Sequence, residues 1–199
     1  GQRGAINLTN VNKSEIKRGA VLSTVGSLNL TKKIICHITL VNSTNWIIKS
    51  KQRLRFHLGT GEFFGRITPC NYSRISKGVS DNAIIEFETD VTVLMNDKIL
   101  IRSYSPMETI AGGIVLNTHP TGNSSKMRLN GGKIPLNIKR RFYYFVNLNW
   151  RHPKSINSWG NYLFLDIKTI KEWVKNNDFQ KTNDELIYSK LNLKKTQDK

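Results

Sequence analysis

Basic side chains that could bind phosphate alternate with apolar ones in one short stretch of the sequence. Between residues 53 and 58 the apolar residues are Leu54, Phe56 and Leu58, and the basic ones are Arg53, Arg55 and His57. Successive side chains of a β-strand point to opposite faces, so this stretch predicts a half-buried strand with a basic outer face. The residues that follow, Gly59-Thr60-Gly61, are typical of a tight hairpin whose glycines let the backbone approach a phosphate. Arg66 lies shortly after that hairpin.

A second basic set has helical spacing. Its members are Lys168, Lys171 and Lys175, and the apolar residues interleaved with them are Ile167, Ile170 and Val174. This pattern predicts an amphipathic helix that begins with Asp166 as its N-cap and turns the apolar residues inward. The lysines could contact phosphates, but an ordinary solvated helix face explains three lysines equally well.

The overall charge favours a polyanionic partner. The chain has 199 residues, with 31 Lys and Arg against 14 Asp and Glu, a net charge of +17 and a pI near 10.1. Such an excess attracts the phosphates of nucleic acids. Residues 1–118 hold 15 basic and 8 acidic residues, and residues 119–199 hold 16 and 6, so the second part is the more basic. A codon composition that favours Lys, Asn and Ile is the alternative explanation.

No pattern in the sequence predicts catalysis by this chain. Cys36 and His37 are adjacent on a predicted strand and therefore point to opposite faces, which excludes a Cys–His dyad between them. The chain has no G-x-S-x-G motif. Cys36 and Cys70 lie 34 residues apart without a CxxC pair, so we expect buried thiols rather than a zinc site or a disulfide.

The elements that position these residues are strands before residue 119. Alternating apolar residues predict further strands around Ile34 to Leu40, around Ala83 to Phe87 and from Lys98 to Arg102. Asn96-Asp97 predicts another tight hairpin. Several short strands with this spacing are typical of a small antiparallel β-barrel.

The pattern becomes helical in the second part of the chain. Residues 119–137 contain Pro, Gly and polar residues without an apolar period, and they predict a linker. Ile138, Phe142, Phe145 and Val146 have the spacing of a helix that ends before Pro153. Thr182 and Glu185 have the spacing of a capping box that would open a third helix through Leu191. The aromatic residues of this part could stack bases but are expected to be mostly core: Phe142, Tyr143, Tyr144, Trp150, Trp159, Tyr162 and Trp173.

Two groups of motifs carry a resemblance to a known family. Residues 1–28, read as two strand-like pieces around Ser14-Glu15-Ile16-Lys17-Arg18-Gly19, resemble the end of the second domain of translational GTPases of the elongation factor Tu type. The runs LRFHLGTGEFFGRI (residues 54–67) and NDKILIRSYSPMETIAGGIVLN (residues 96–117) resemble the third domain of the selenocysteine-specific elongation factor. The His-x-Gly-Thr and Ser-Pro-x-x-Thr runs distinguish this family from ordinary elongation factor Tu. The resemblance covers about 60% of the chain, from residue 1 to about residue 120.

The resemblance implies a fold and a domain order. We expect a mainly β protein, in which a small antiparallel barrel of the elongation-factor type is followed by a short basic helical region. Residues 1–28 would be the remnant of the second β-barrel, 29–118 the third-domain barrel, 119–137 a linker and 138–199 a basic α-helical extension. Family members carry winged-helix repeats after the third domain, and at most one incomplete unit would fit here.

The resemblance also implies site residues. Arg3 matches the basic position of the aminoacyl pocket, where a guanidinium can stabilise an ionised selenol but gains nothing from a serine hydroxyl. A surface arginine on an edge strand is the alternative. The tRNA-binding residues implied by the resemblance are Arg55, His57, Gly59, Thr60, Arg66 and Gly112. For His57, a half-buried strand histidine without contact to tRNA is an equally good interpretation, and strand glycines more often mark close packing.

The implied function is part of a selenocysteine-specific translation elongation factor that binds selenocysteinyl-tRNA for GTP-dependent delivery to the ribosome. The sequence lacks the phosphate-binding G-x-x-x-x-G-K-[ST] run and the guanine-reading Asn-Lys-x-Asp run. We therefore expect no enzyme activity and no cofactor in this chain, with GTP and Mg²⁺ held by a GTPase domain that is not present. A messenger RNA hairpin would be a further partner.

Two further expectations concern location and an alternative function. No apolar run approaches the roughly 20 residues that span a bilayer, and no signal-peptide pattern opens the sequence, so we expect a cytoplasmic protein. The alternative function is a free-standing basic RNA-binding module that acts without GTP. A scaffold whose charge reflects codon composition alone would show no salt-dependent RNA binding.

Overall fold

The computed structural model describes residues 4–24, 28–175, 179–182 and 185–190. Its first part contains eight strands: β1 (Leu30–Leu40), β2 (Ile48–Lys49), β3 (Gln52–Leu58), β4 (Gly61–Pro69), β5 (Arg74–Ile75), β6 (Ser80–Thr92), β7 (Lys98–Arg102) and β8 (Thr109–Asn117). Six of them form a closed antiparallel barrel in the order β1-β6-β4-β3-β7-β8, and β8 closes on β1. The short strands β2 and β5 pair with each other outside the barrel. Closure leaves the six strands without a free edge.

The barrel encloses the first hydrophobic core. The residues predicted to face inward are buried: Ile34, Cys36, Ile38 and Leu40 on β1, Leu54, Phe56 and Leu58 on β3, and Ala83, Ile85 and Phe87 on β6. His37 lies on the outer side of β1, where its Nδ1 is 2.9 Å from Oδ1 of Asn82. The mainly β fold class, with a barrel followed by a helical C-terminal region, is confirmed.

The helical region follows the barrel. It contains α1 (Ser124–Gly132), α2 (Ile138–Leu148), β9 (Lys154–Ser155), α3 (Ile156–Leu163), α4 (Ile167–Lys175), β10 (Phe179–Lys181) and β11 (Leu186–Ser189). The three strands form a small sheet in the order β10-β11-β9. From α2 onward, the succession of a helix, a strand, two helices and two paired strands is the arrangement of a winged-helix domain.

A second core joins the two parts of the chain. It contains Ile35, Ile84 and Leu116 from the outer side of the barrel, and Phe142, Phe145 and Trp159 from the helices. Most aromatic side chains of the helical region pack here, as the sequence analysis expected; Phe142 and Trp159 are fully buried with ring centroids 5.8 Å apart. The helices therefore cover one side of the barrel and leave the outer face of β3, β4 and β7 exposed.

The linker predicted over residues 119–137 is wrong, because α1 occupies about half of it and the segment packs on the barrel. Asn123 caps this helix by accepting a hydrogen bond from the backbone N–H of Lys126. The side-chain amide of Asn82, on β6, donates to the carbonyl oxygens of Gly131 and Ile134 at 2.9 Å each. The segment has few apolar residues to set a period, and these contacts with the barrel hold it in place.

The third helix predicted from Thr182 to Leu191 is also wrong, since the described residues 186–189 form β11. The backbone N–H of Thr182 donates to the carbonyl of Leu186 at 3.0 Å, and the hydroxyl of Thr182 accepts from the N–H of Leu186 at 3.1 Å. Glu185 has a φ of +61°, which is incompatible with the first turn of a helix. Thr182 therefore caps the turn between two strands, and the C-terminal extension is not wholly α-helical.

Three smaller expectations differ from the structure. The strand-like pieces expected in residues 1–28 are absent from the described residues 4–24, which contain only a 3-10 helix at Lys13–Glu15. Asn96 and Asp97 do form a turn, but it joins β6 to β7, and these strands are not neighbours in the barrel. The α4 helix begins after Asp166 as predicted and buries Ile170, whereas Ile167 is 39% exposed.

Candidate nucleic-acid interface

The exposed outer surface of β3, β4 and β7 gathers basic residues from distant parts of the sequence. Arg55 and His57 on β3 lie opposite Phe64 and Glu62 on β4. On the other side of β3, Arg55 pairs in register with Arg102 of β7. Arg18 reaches the same surface from the N-terminal segment, where its Nε donates to the carbonyl of Thr60 at 3.0 Å. We call Arg18, Arg55, His57 and Arg102 the arginine face.

One carboxylate partly balances the charge of the arginine face. Glu62 forms an ion pair with Arg55, and its second carboxylate oxygen lies 3.7 Å from Nε2 of His57. Burial lowers the pKa of His57 below 6.5, and the positive charges of Arg102, Arg55 and Arg18 lower it further, against the attraction of Glu62. His57 is therefore neutral at neutral pH, and the face holds three guanidinium groups against one carboxylate.

Unpartnered polar atoms concentrate on this face. In the part of the chain that the structure describes, five buried side-chain nitrogen or oxygen atoms lack a hydrogen-bond partner. Three of them belong to the arginine face: Nε of Arg55, Nε2 of His57 and Nε of Arg102. Leaving a buried polar group unpaired costs stability, and the described protein atoms do not satisfy these three nitrogens. Groups of this kind are suited to an anion with several oxygen atoms.

A neighbouring arginine on β3 is already paired. Nε and Nη2 of Arg53 donate to the two carboxylate oxygens of Glu88 at 2.6 and 2.8 Å, and this pairing lowers the pKa of Glu88. The guanidinium also lies 4.9 Å from the ring centroid of Phe64 and 5.0 Å from that of Tyr104. Arg66 donates to the carbonyl of Lys51 at 3.1 Å. Arg53 is thus held by Glu88 and two aromatic rings.

The glycines expected at the site differ in their surroundings. His57, Gly59 and Gly112 line one shallow groove of about 770 Å³, together with His37, Leu100 and Leu136. A Cβ added at Gly112 would have its nearest neighbour, the carbonyl oxygen of Ile99, at 3.9 Å. The backbone at Gly112 is therefore open to a close approach from outside the barrel. Gly113, in contrast, packs against the backbone of His37.

Comparison with known proteins identifies the barrel. A family model described as "Selenocysteine-specific elongation factor, beta-barrel domain" matches residues 33–122. Residues 33–122 form a β-barrel of the type found in selenocysteine-specific elongation factors. A selenocysteine-specific elongation factor of Desulfomicrobium baculatum is 26% identical over 117 residues. That match covers 59% of this chain and 18% of the relative, so the chain spans a small part of the relative's length.

The elongation-factor barrel contains most of the predicted site. Arg55, His57, Gly59, Thr60, Arg66 and Gly112 all lie within residues 33–122. The structure brings His57, Gly59 and Gly112 to one groove and Arg55 beside them, whereas Arg66 lies on the far side of Phe64. Sequence patterns did not identify Arg18 as a site residue, because nothing in the sequence near Arg18 indicates that this segment lies against the β3–β4 hairpin.

The remaining predicted residues lie elsewhere. Lys168, Lys171 and Lys175 are exposed on α4, which packs on α3 and β10 of the helical region. Arg3 lies outside the described residues. Burial raises the pKa of Cys70 to about 12 and that of Cys36 still further, so both cysteines are protonated and unreactive at neutral pH.

The described residues contain neither a cluster of metal ligands nor a membrane-spanning helix. No group of three or more His, Cys, Asp or Glu side chains within them is arranged to hold a metal ion. No helix within the same ranges is long and apolar enough to cross a membrane.

Proposed function

We propose that the arginine face binds the phosphate backbone of selenocysteinyl-tRNA, as part of an elongation factor that delivers this tRNA to the ribosome with GTP. The observation that supports this proposal is the set of three unpartnered buried nitrogens on Arg55, His57 and Arg102, in a cluster of three guanidinium groups and one carboxylate. Phosphate oxygens accept hydrogen bonds from guanidinium groups in a fork-like geometry. Contacts of this kind position a nucleic acid without reading its sequence.

The elongation-factor role is favoured over the free-standing RNA-binding module, because the barrel matches the elongation-factor family. The sequence has no phosphate-binding loop, and GTP and Mg²⁺ are therefore not assigned to any residue of this chain. The chain's own residues would hold and orient the body of the tRNA. Nucleotide hydrolysis would belong to another domain.

Direct binding measurements test the role of the arginine face. The affinity of the purified chain for a labelled tRNA is measured by fluorescence anisotropy at low salt, with the variants Arg55→Ala and Arg102→Ala. We expect each variant to weaken binding about five-fold or more and to reduce the salt dependence by about one phosphate contact. The matched control is Arg74→Ala, which removes an exposed arginine from β5 outside the arginine face. An equal loss in the control would indicate diffuse attraction and contradict the proposal.

We also propose that Arg3 contributes to selenocysteine specificity, as the resemblance of its surrounding motif implies. Loss of a charge-assisted contact with the ionised selenol would cost about 1.5 to 3 kcal/mol. The test joins this chain to the N-terminal domains of a selenocysteine-specific factor. In that protein, Arg3→Ala should weaken the binding of selenocysteinyl-tRNA more than the binding of seryl-tRNA. Arg55→Ala should weaken both equally, since it would contact the tRNA body. If Arg3→Ala reduced the affinity for both tRNAs equally, the assignment of Arg3 to the aminoacyl pocket would be wrong.

A second candidate function concerns α4. We propose that Lys168, Lys171 and Lys175 contact the phosphates of a messenger RNA hairpin. The supporting observation is that all three are exposed on the helix that precedes the β10–β11 pair of the winged-helix arrangement. Replacing the three lysines with alanine should weaken binding of an RNA hairpin and leave tRNA binding by the arginine face unchanged. If hairpin binding is also unchanged, the lysines form only a solvated face.

A further inference from the structure

A cleft of about 630 Å³ lies where the barrel meets the helical region. The barrel side is formed by Ile35 of β1, by Asn117 at the end of β8 and by the three residues His119, Pro120 and Thr121 that follow. The helical side is formed by α1, the C-terminal end of α2 and the segment that follows it, together with Tyr162. Its volume is in the range of a nucleotide or similar small ligand. We call it the junction cleft.

The rim of the junction cleft is basic. Lys126, Arg151 and Lys154 contribute three cations, and His119 and His152 add two imidazoles. No described residue that lines the cleft is an Asp or Glu. None of the three cations has an ion-pair partner within 4.0 Å in the described part of the chain. The cleft therefore concentrates positive charge that the protein itself does not neutralise.

Aromatic side chains lie beside these cations. The guanidinium of Arg151 is 5.0 Å from the ring centroid of Trp150, and the ammonium of Lys154 is 4.9 Å from that of Tyr162. Trp150 is only partly buried, unlike Trp159, so part of its indole surface remains accessible. An accessible indole next to unneutralised cations is the combination by which proteins bind single-stranded nucleic acid, since bases stack on the ring and phosphates attract the cations.

We propose that the junction cleft binds a nucleotide of a single-stranded RNA segment, with the base against Trp150 and the phosphates against Lys126, Arg151 and Lys154. An acidic protein segment would use the cations but would leave the indole unused, so the observations favour RNA. The three cations and Trp150 lie beyond residues 33–122, and the match to the elongation-factor barrel assigns no role to them. The site is separate from the arginine face and does not depend on tRNA binding there.

The first test uses a fluorescein-labelled single-stranded RNA hexamer of uridylate and fluorescence anisotropy. The double variant Lys126→Ala/Arg151→Ala should weaken hexamer binding about ten-fold or more at low salt. The matched control is Arg74→Ala/Lys77→Ala, which removes the same two charge types from exposed positions outside the cleft. Equal losses in the cleft variant and the matched control would overturn the proposal.

The second test examines stacking. Trp150→Ala should weaken hexamer binding about five-fold or more, and Trp150→Phe should retain most of the affinity because it keeps a ring. A hexamer that contains 4-thiouridine, irradiated on the unmodified protein, should crosslink to the peptide that contains Trp150. Crosslinks confined to other peptides would contradict the assignment, whether or not the variants fold.

Competition identifies the source of the ligand. Uridine monophosphate should compete much less well than the hexamer, because it offers one phosphate to three cations. Equal affinity would mean that the cleft binds a free nucleotide and would overturn the assignment to an RNA strand. Polyglutamate that displaces the hexamer as effectively as unlabelled RNA would indicate an acidic protein partner and would also overturn it.

Discussion

Nη1 of Arg141, on α2, donates a 2.9 Å hydrogen bond to Oδ1 of Asn96, in the turn between β6 and β7. The same guanidinium donates to the carbonyls of Pro135 at 3.0 Å and Leu136 at 2.7 Å. Arg141 is only 1% exposed, and burial lowers its pKa to about 10, so it remains charged at neutral pH. All these acceptors are neutral. This hydrogen bond connects the helical region to the turn between β6 and β7. Within that turn, Asn96 has a φ of +70°.

Replacing Arg141 should therefore destabilise the protein strongly. We expect Arg141→Met to lower the free energy of unfolding by about 2–4 kcal/mol, because it leaves several buried oxygens without donors. Urea unfolding measures the change. Arg140→Met is the control, since Arg140 is exposed on the same helix and its loss should cost less than about 0.5 kcal/mol. Equal losses of unfolding free energy in the two variants would contradict the role of Arg141 in connecting the helical region to the barrel.

Two adjacent glycines of β8 should respond differently to the same substitution. A Cβ at Gly113 would lie 2.5 Å from the carbonyl oxygen of His37 and 2.8 Å from Cδ1 of Ile38. Gly113→Ala should therefore lower the midpoint of thermal unfolding, with a cost of about 1–3 kcal/mol from overpacking. Gly112→Ala should be tolerated, because its nearest neighbour is at 3.9 Å. A Gly113→Ala protein as stable as Gly112→Ala would contradict the packing described.

The pH dependence of stability should contain a contribution from His57. Its pKa in the folded protein is below 6.5, so the unfolded chain binds the proton more readily. The corresponding stability is fully present above pH 6.5 and is lost as the pH falls through the folded-state pKa. His57→Gln should therefore reduce the loss of stability on acidification below pH 6.5, as measured by unfolding at several pH values.

The partner of His57 provides a check on this explanation. Glu62 attracts the proton of His57, so Glu62→Gln should lower the histidine pKa further. An NMR titration of the imidazole Cε1–H resonance measures the pKa in both proteins. A pKa at or above 6.5 in the unchanged protein, or an increase in the variant, would show that the assigned causes are wrong.

Binding of tRNA should depend steeply on salt. If six or more phosphates are contacted, the affinity should fall by about 10³-fold or more between 50 and 200 mM salt. Anisotropy measurements over this range determine the slope. A flat profile would support the scaffold interpretation, in which the charge reflects codon composition alone.

The N-terminal segment should be protected less than the barrel. Residues 4–8 form no strand in the structure, whereas Ile35 to Thr39 of β1 pair with β6 on one side and with β8 on the other. Backbone amides of residues 4–8 should therefore exchange with solvent orders of magnitude faster than those of β1, as measured by hydrogen exchange and NMR. Equal protection would mean that the segment forms a hydrogen-bonded structure not seen here.

Local patterns predicted the strands of the barrel well. The alternation in β1, β3 and β6 identified the inward-facing residues because the side chains of a strand have a period of two, whatever surrounds the strand. The spacing of Phe142, Phe145 and Val146 identified α2 in the same way. The resemblance of two motif runs identified the elongation-factor barrel, which the match to residues 33–122 supports.

Local patterns failed where distant contacts decide the structure. The segment of α1 has little apolar periodicity, and it is held by Asn82 of β6 and by Arg128, which donates to the carbonyl of Cys70 at 3.0 Å. Thr182 and Glu185 have the spacing of a helix cap, but the strand that follows pairs with β9 and β10. In both segments tertiary contacts outweigh a weak local preference.

The sequence by itself determined the strand character of β1, β3, β4, β6 and β7, the inward residues of β1, β3 and β6, and the basic outer face of β3. Only the tertiary structure decided that Arg18, Arg55 and Arg102 meet on one surface and that Lys126, Arg151 and Trp150 border one cleft. The physical reason is that strand order and helix docking depend on contacts between residues far apart in the chain. Local periodicity defines which side of an element is apolar but carries no information on its neighbours.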